Sequence, residues 1–309
     1  MTRIWSLLCT LLLVSAVSQT FAQDPRQEAS VMQVEFSPDG TRLVACYYLH
    51  ATNRPGTNWS CWGGAWDLKT GKGNFIPNVI VPLAFAPDGE TIALGQPALR
   101  TRHPTITEVR LGLWKFGESK PQRIFDPNDI PPETPKVPGD SLSHKQAVPP
   151  PQTKEIVIAA AFHPTGKQIA TVSAQGQVVL WPLGEDEKPR VIVNLKEQLR
   201  NNGWEWDPYP NRLFFVDDAK FVTFAAVNPS HKRPGSNQAT TWRIELATKE
   251  IQRTDAKSEP QPPLRPKERS WLSADGKRLA KHDEAAIIRV IDRESGVVLH
   301  TLRSQDLAK

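Results

Sequence analysis

Residues 34–40 read V-E-F-S-P-D-G, and this phrase returns along the chain. Close copies are L-A-F-A-P-D-G at 83–89 and A-A-F-H-P-T-G at 160–166, and weaker copies are F-F-V-D-D-A-K at 214–220 and W-L-S-A-D-G-K at 271–277. Each copy precedes a β-like stretch that ends in a large residue: Trp66, Trp114, Trp181, Trp242 and Ile291. Five such copies predict a repeat architecture.

The third copy predicts the content of one repeat. Strands are expected at Ile158–Phe162, Gln168–Ser173, Gln177–Trp181 and Arg190–Leu195. Turns separate them, because proline fixes φ in Pro164-Thr165-Gly166 and glycine accepts positive φ there and in Ala174-Gln175-Gly176. Four short strands joined by turns are typical of one blade of a β-propeller.

These repeats resemble the WD40 family over residues 31–303. Trp66-Asp67-Leu68-Lys69-Thr70-Gly71 is similar to the end of the family motif, and Ile291–Gly296 matches it with isoleucine in place of tryptophan. The resemblance implies an all-β propeller of four-stranded antiparallel blades, about five in number. Because Val297–Leu302 has no later unit to join, we expect it to pair with the first unit, Val31–Leu68, and close the ring. The family's Gly-His dipeptide is absent, so the blades are expected to rely on apolar and aromatic packing.

The first 22 residues have the pattern of an export signal. Arg3 precedes an apolar run at Ile4–Val17, and Thr20 and Ala22 are small enough for a cleavage site after Ala22. An uncleaved membrane anchor is the alternative, although the run is short for a membrane span. Cleavage would leave a propeller domain at 23–309 with no membrane span. We therefore expect an exported, bacterial-type protein in the periplasm or outside the cell.

Composition excludes some classes of function. Removing Arg3 with the signal lowers the formal charge from +5 to +4, and no block of lysine and arginine is present. Nucleic acid is therefore not an expected partner. The seven histidines form no His-x₃-His pair, and neither a G-x-S-x-G motif nor a phosphate-binding glycine loop occurs. We expect no metal, no cofactor and no catalytic activity.

Long insertions occur at particular connections of the repeat. Between second and third strands they are 50–58, 96–108 and 228–238, and between successive repeats they are 127–154, 196–211 and 256–269. In the geometry of the family, both kinds of connection emerge on one face of the ring. Loops on a rigid scaffold often carry binding residues, although long loops are also tolerated at little cost. The binding candidates in the three hairpins are mostly basic and favour an acidic partner: Arg54, Arg100, Arg102, His103, His231, Lys232 and Arg233.

Two other insertions have an unusual composition. The loop Trp204-Glu205-Trp206-Asp207-Pro208-Tyr209 is expected to plug the central channel. The alternative is that Trp204 and Trp206, which are candidate binding residues, stack on a sugar or a peptide. Residues 127–154 contain eight prolines and few large apolar side chains, which is typical of a solvated, extended insertion. A polyproline recognition site is the alternative.

The two cysteines left after cleavage, Cys46 and Cys61, flank the first long hairpin and are candidates for a disulfide bond. The bond requires a turn near Asn53-Arg54; a turn centred on Pro55-Gly56 would place Cys46 opposite Ala65.

The sequence favours a non-catalytic scaffold that binds a protein through its insertion-rich face. The alternative is an extracytoplasmic enzyme or carbohydrate-binding propeller that uses the 204–209 loop and the channel mouth. Neither the identity of the partner nor the oligomeric state follows from the sequence.

Overall fold

The computed structural model describes residues 29–49, 60–97, 108–126, 130, 156–184, 187–201, 213–216, 221–227, 239–254, 270–282 and 286–307. Within these ranges the chain forms twenty strands in five antiparallel sheets, each built from four consecutive strands. This all-β arrangement of four-stranded blades is the predicted one.

The first sheet contains β1 (Ser30–Phe36), β2 (Arg42–Leu49), β3 (Ser60–Asp67) and β4 (Gly73–Pro77). The second contains β5 (Ile80–Phe85), β6 (Thr91–Pro97), β7 (Val109–Lys115) and β8 (Arg123–Phe125). The third contains β9 (Val157–Phe162), β10 (Gln168–Ser173), β11 (Gln177–Pro182) and β12 (Arg190–Asn194), followed by the helix α1 (Leu195–Asn201).

The fourth sheet contains β13 (Phe214–Val216), β14 (Phe221–Val227), β15 (Ala239–Glu245) and β16 (Ile251–Thr254). The fifth contains β17 (Ser270–Leu272), β18 (Arg278–His282), β19 (Ile287–Asp292) and β20 (Val298–Arg303), and a 3₁₀ helix follows at Ser304–Asp306.

Buried apolar clusters fill the spaces between neighbouring sheets. One cluster joins the first and second sheets, a second joins the second and third, and a third joins the third and fourth. A fourth cluster joins the fifth sheet to the first and includes Trp66, Ile288 and Val290. The first strands of neighbouring sheets also contact one another, which places them innermost. The core is therefore a series of layers between blades.

The motif turns hold neighbouring blades together at one end of the sheets. Arg42, the first residue of β2, donates from Nη1 to the Gly89 carbonyl at 2.6 Å and from Nη2 to Glu90 Oε1 at 2.9 Å. Arg278 has the same place in β18 and donates to the Gly40 carbonyl of the first sheet. Each arginine thus connects its own blade to the motif turn of the next blade.

The expected pairing of Val297–Leu302 with the first sheet is wrong. The strand at this position, β20, pairs with β19 at the edge of the fifth sheet. The first sheet already has four strands of its own, with β1 at the inner edge and β4 at the outer edge, so it needs no strand from the end of the chain. Each sheet is instead completed by a continuous segment of the chain.

Candidate functional site

The six long connections all join strands at one end of the sheets. In a four-stranded antiparallel sheet, the second-to-third turn and the connection to the next sheet lie at the same end. The second-to-third connections 50–59, 98–108 and 228–238 join strands at this end, as do the inter-sheet connections 126–156, 195–213 and 255–269. We call this end of the sheets the insertion face.

The opposite end of the sheets carries only short connections. The first-to-second and third-to-fourth turns contain between four residues, 217–220, and seven residues, 116–122 and 183–189. Aspartates fold several of them tightly: Asp67 Oδ1 accepts bonds from the backbone N–H groups of Lys69 and Thr70, and Asp88 Oδ1 accepts them from Glu90 and Thr91. We call this end the turn face.

An ion-pair cluster lies where one insertion ends, at Glu108, and another begins, at Asp126. Arg110 Nε donates to Glu108 Oε1 at 2.6 Å, and Arg110 Nη1 lies 3.2 Å from Asp126 Oδ2. The bond to Glu108 raises the pKa of the guanidinium. Glu108, an acidic residue at the end of the second long hairpin, is therefore neutralised by Arg110.

Stacked aromatic rings support the base of the first long hairpin. Tyr47 and Trp62 face each other across β2 and β3, with ring centroids 5.8 Å apart and an interplanar angle of 13°. Trp62 is 5% exposed and belongs to the cluster between the first and fifth sheets. The Trp62 ring therefore packs in the core and is too buried to contact a ligand.

The candidate disulfide is not formed, and both cysteines are free. In the observed register Cys46 faces Gly63 and Cys61 faces Tyr48, so the two cysteines are diagonal neighbours. Diagonal Cα atoms are roughly 7–8 Å apart, which is beyond ordinary disulfide geometry. In the observed register, the residue numbers of opposite residues add up to 109. This register lies between the two that the sequence left open, so the register that the disulfide bond requires, with a turn near Asn53-Arg54, does not form.

The predicted binding residues lie outside the described ranges: Arg54, Arg100, Arg102, His103, Trp204, Trp206, His231, Lys232 and Arg233. The signal segment 1–22, the aromatic loop 204–209 and nearly all of the proline-rich insertion 127–154 do so as well. The strands on either side place the ends of these insertions at the insertion face.

The helix α1 was not predicted from the sequence. It begins the insertion that leads to the 204–209 loop, and it buries Leu195 and Leu199 between the third and fourth sheets. Its signal was present, because leucines four residues apart occupy one face of a helix and Asn194 is a favourable N-cap residue. Asn194 Oδ1 accepts a bond from the Glu197 N–H at 3.4 Å.

The part of the chain that the structure describes contains no group of three or more histidine, cysteine, aspartate or glutamate side chains arranged to hold a metal ion. Among the same residues, no helix is long and apolar enough to cross a membrane.

Comparison with known proteins identifies the repeat. Residues 147–182, which include β9, β10 and β11, match the family model described as "WD domain, G-beta repeat". The chain contains a WD40 repeat. The match ends at Pro182, the last residue of β11 and one residue after Trp181, where the sequence motif predicted the end of the third strand.

Solved structures also match this chain at low sequence identity. One is the β-propeller domain of Cps50 (Swd1) from Myceliophteria thermophila, which is 13% identical, with a TM-score of 0.43 over 89% of this chain and 74% of that one. Another is the tricorn protease, which is 11% identical, with a TM-score of 0.44 over 89% of this chain and 27% of that one. The comparison with curated proteins found no match.

Proposed function

We propose that this WD40 propeller is an exported, non-catalytic scaffold that binds a protein partner through its insertion face. WD40 propellers commonly mediate binding between proteins. The observation that carries the proposal is the uneven placement of the connections. Six connections of 10 to 31 residues meet at one end of the sheets, whereas no turn at the other end exceeds seven residues.

The physical argument rests on the rigidity of the sheets. Packed clusters fix the strands, so the bases of the six insertions are held at fixed separations on one surface. Loops presented in this way can together form a broad contact surface without any catalytic group. The basic residues of the hairpins favour an acidic partner surface.

Export is the other half of the proposal. We expect N-terminal sequencing of the protein purified from the envelope fraction of the producing cell to begin at Gln23. A protein that retains Met1 and fractionates with the cytoplasm would contradict export without affecting the binding proposal.

The binding test compares two quadruple variants with equal loss of charge. The first changes Arg100, Arg102, Lys232 and Arg233 to alanine on the insertions. The control changes Lys69, Lys72, Lys167 and Lys277 to alanine, because these four side chains are exposed on the turn face. Exposed charges contribute little to stability, so the control should unfold at nearly the wild-type temperature. We expect the same of the insertion variant.

The partner for this test is recovered from the envelope fraction by cross-linking to the mature wild-type chain and is then purified for titration. We expect the insertion-face variant to bind it roughly tenfold or more weakly and the control to bind normally. Added salt should weaken wild-type binding in the same direction. Equal affinities of the two variants at low salt would contradict recognition by the basic hairpins, and a loss confined to the turn-face control would place the interface on the opposite face.

A further inference from the structure

The segment that follows β20 reaches from the fifth sheet to the first. Ser304–Asp306 forms a single 3₁₀ turn, and Leu307 comes directly after it. The Leu307 side chain is only 4% exposed and belongs to the same buried cluster as Trp66 and Leu68 of the first sheet. A large side chain from outside the sheets is thus buried against the neighbouring blade.

Two glycines make room for this leucine. Gly64 lies two residues before Trp66 on β3, and Gly73 lies directly opposite Trp66 on β4. A Cβ atom built on Gly64 would lie 2.9 Å from Leu307 Cδ1, and one built on Gly73 would lie 2.9 Å from Leu307 Cδ2. Any other residue at these positions would take the space that the Trp66 indole and the two leucine methyl groups now fill. We call the space bounded by Gly64, Gly73 and Trp66 the glycine notch.

The glycine notch is a feature of the first sheet. In every other sheet, at least one of the two corresponding positions carries a side chain. Val179 in the third sheet lies two residues before Trp181. The other three lie opposite the large residue that ends the third strand: Gln122 opposite Trp114 when the Leu113–Arg123 pairing is extended by one residue, Arg253 opposite Trp242 and Val298 opposite Ile291. Sheet packing in general does not require this notch, because the other four sheets form without one.

We propose that the glycine notch is a docking site for a short leucine-bearing segment, and that residues 304–307 of this chain occupy it as a latch between the fifth and first sheets. The latch would join the two sheets that the sequence predicted to be joined by pairing of Val297–Leu302 with the first unit. No strand crosses between these two sheets in the described ranges. The contacts between them include side-chain packing and the bond from Arg278 to the Gly40 carbonyl.

The latch is separable from the sheets that it joins. Leu307 lies beyond the last paired residue of β20, Arg303, so its release breaks none of the sheet's strand pairings. Elements with few buried contacts open at lower free energy than the rest of a fold. The notch should therefore accept the same segment when it is supplied as a separate peptide.

The first experiment uses a chain that ends at Arg303 and a fluorescein-labelled peptide with the sequence of residues 303–309. We expect the peptide to bind this shortened chain saturably, and to bind the full chain at least roughly tenfold more weakly because its notch is occupied. A peptide with Leu307→Ala should lose roughly tenfold or more in affinity, because most of the buried apolar surface belongs to that leucine. A shortened chain with a native-like circular dichroism spectrum that fails to bind the peptide would overturn the proposal.

A second measurement decides the matter if the shortened chain does not fold. Leu307→Asp in the full chain places a charge in the notch, and Leu299→Asp is the matched control because Leu299 is 43% exposed on β20. We expect Leu307→Asp to accelerate hydrogen–deuterium exchange several-fold in β3 and β4, with Leu299→Asp close to wild type. Equal exchange in β3 and β4 for the two variants would overturn the latch.

Discussion

Trp181 Nε1 donates a hydrogen bond to Thr171 Oγ1 across β10 and β11 at 2.8 Å, and the bond is buried. The second sheet has no equivalent. Trp114 pairs with Ile92 as Trp181 pairs with Ile169, but the residue two positions further along the second strand is Leu94 rather than a threonine. Among the residues that the structure describes, the buried Trp114 Nε1 has no hydrogen-bond partner. The third sheet thus satisfies a polar group that the second sheet leaves unpaired.

Thr171→Val should therefore destabilise the protein by about 1–3 kcal/mol, because it leaves the Trp181 N–H buried without an acceptor. Thr171→Ser keeps the hydroxyl and should cost less. The measurement is the free energy of unfolding in urea. If valine and serine cost the same, the loss comes from packing at this position and not from the hydrogen bond.

The turn that contains Asp39 should make stability sensitive to acid. Asp39 accepts bonds from Ser37 Oγ at 2.6 Å and from the Thr41 N–H and hydroxyl, and the Ser37 bond contributes most to lowering its pKa to about 2. Because the folded-state pKa is depressed, this stabilisation is present above the ordinary value near 3.8 and is lost as the pH falls towards 2.

Asp39→Asn should accordingly lower stability at pH 6 and reduce the loss between pH 4 and pH 2. Glu118→Gln is the control, because Glu118 is an exposed carboxyl on another turn. Urea denaturation at pH 6, 4, 3 and 2 measures both variants. The same pH dependence in Asp39→Asn and wild type would show that the Asp39 bonds do not contribute.

In protein produced from residue 23 onwards, Cys46 and Cys61 should react slowly in the folded state. Burial raises the pKa of the Cys61 thiol to about 11 and also raises the pKa of Cys46, and the thiolate is the form that reacts. Ellman's reagent at pH 8 should modify the folded protein slowly and find two thiols after unfolding in urea. Finding no thiols under non-reducing conditions would show that the cysteines form a disulfide.

Gly95 should tolerate no side chain. It pairs with Ile80 on β5, beside an irregularity in the register, and a Cβ atom there would lie 2.8 Å from the Val81 carbonyl carbon and 2.9 Å from the Ile80 oxygen. Because these are backbone atoms, they cannot move aside cheaply. We expect Gly95→Ala to cost about 1–3 kcal/mol, whereas Gly184→Ala, with nothing within 4 Å, should be nearly neutral. Equal melting temperatures for the two variants would contradict this crowding.

The strands of the third sheet could be predicted almost residue by residue. Gln168–Ser173 was expected and is β10, because a turn bounds it on each side and Gly166 and Gly176 both adopt positive φ. Local residue types decide such boundaries. The helix α1 was missed because only one pair of leucines, four residues apart, signals it within a polar insertion.

The latch could not have been found in this way. Leu307 is more than 230 residues from Gly64 and Gly73 in sequence, and each of the three residues is unremarkable in its own segment. Their meeting depends on the stacking of the fifth sheet on the first. For the candidate binding residues, the sequence predicted which connections are long, and the strand order places those connections at one end of the sheets.

The completion of each sheet by a continuous segment affects how the chain can fold during synthesis. The first sheet requires no strand from a later part of the chain, so residues 30–77 can form their hairpins before the remainder has left the ribosome. Contacts within a sheet are close in sequence, and such topologies fold faster than those that wait for distant strands. The fifth sheet then only has to pack against the first through side chains, so this contact can form separately from the strand pairings within either sheet.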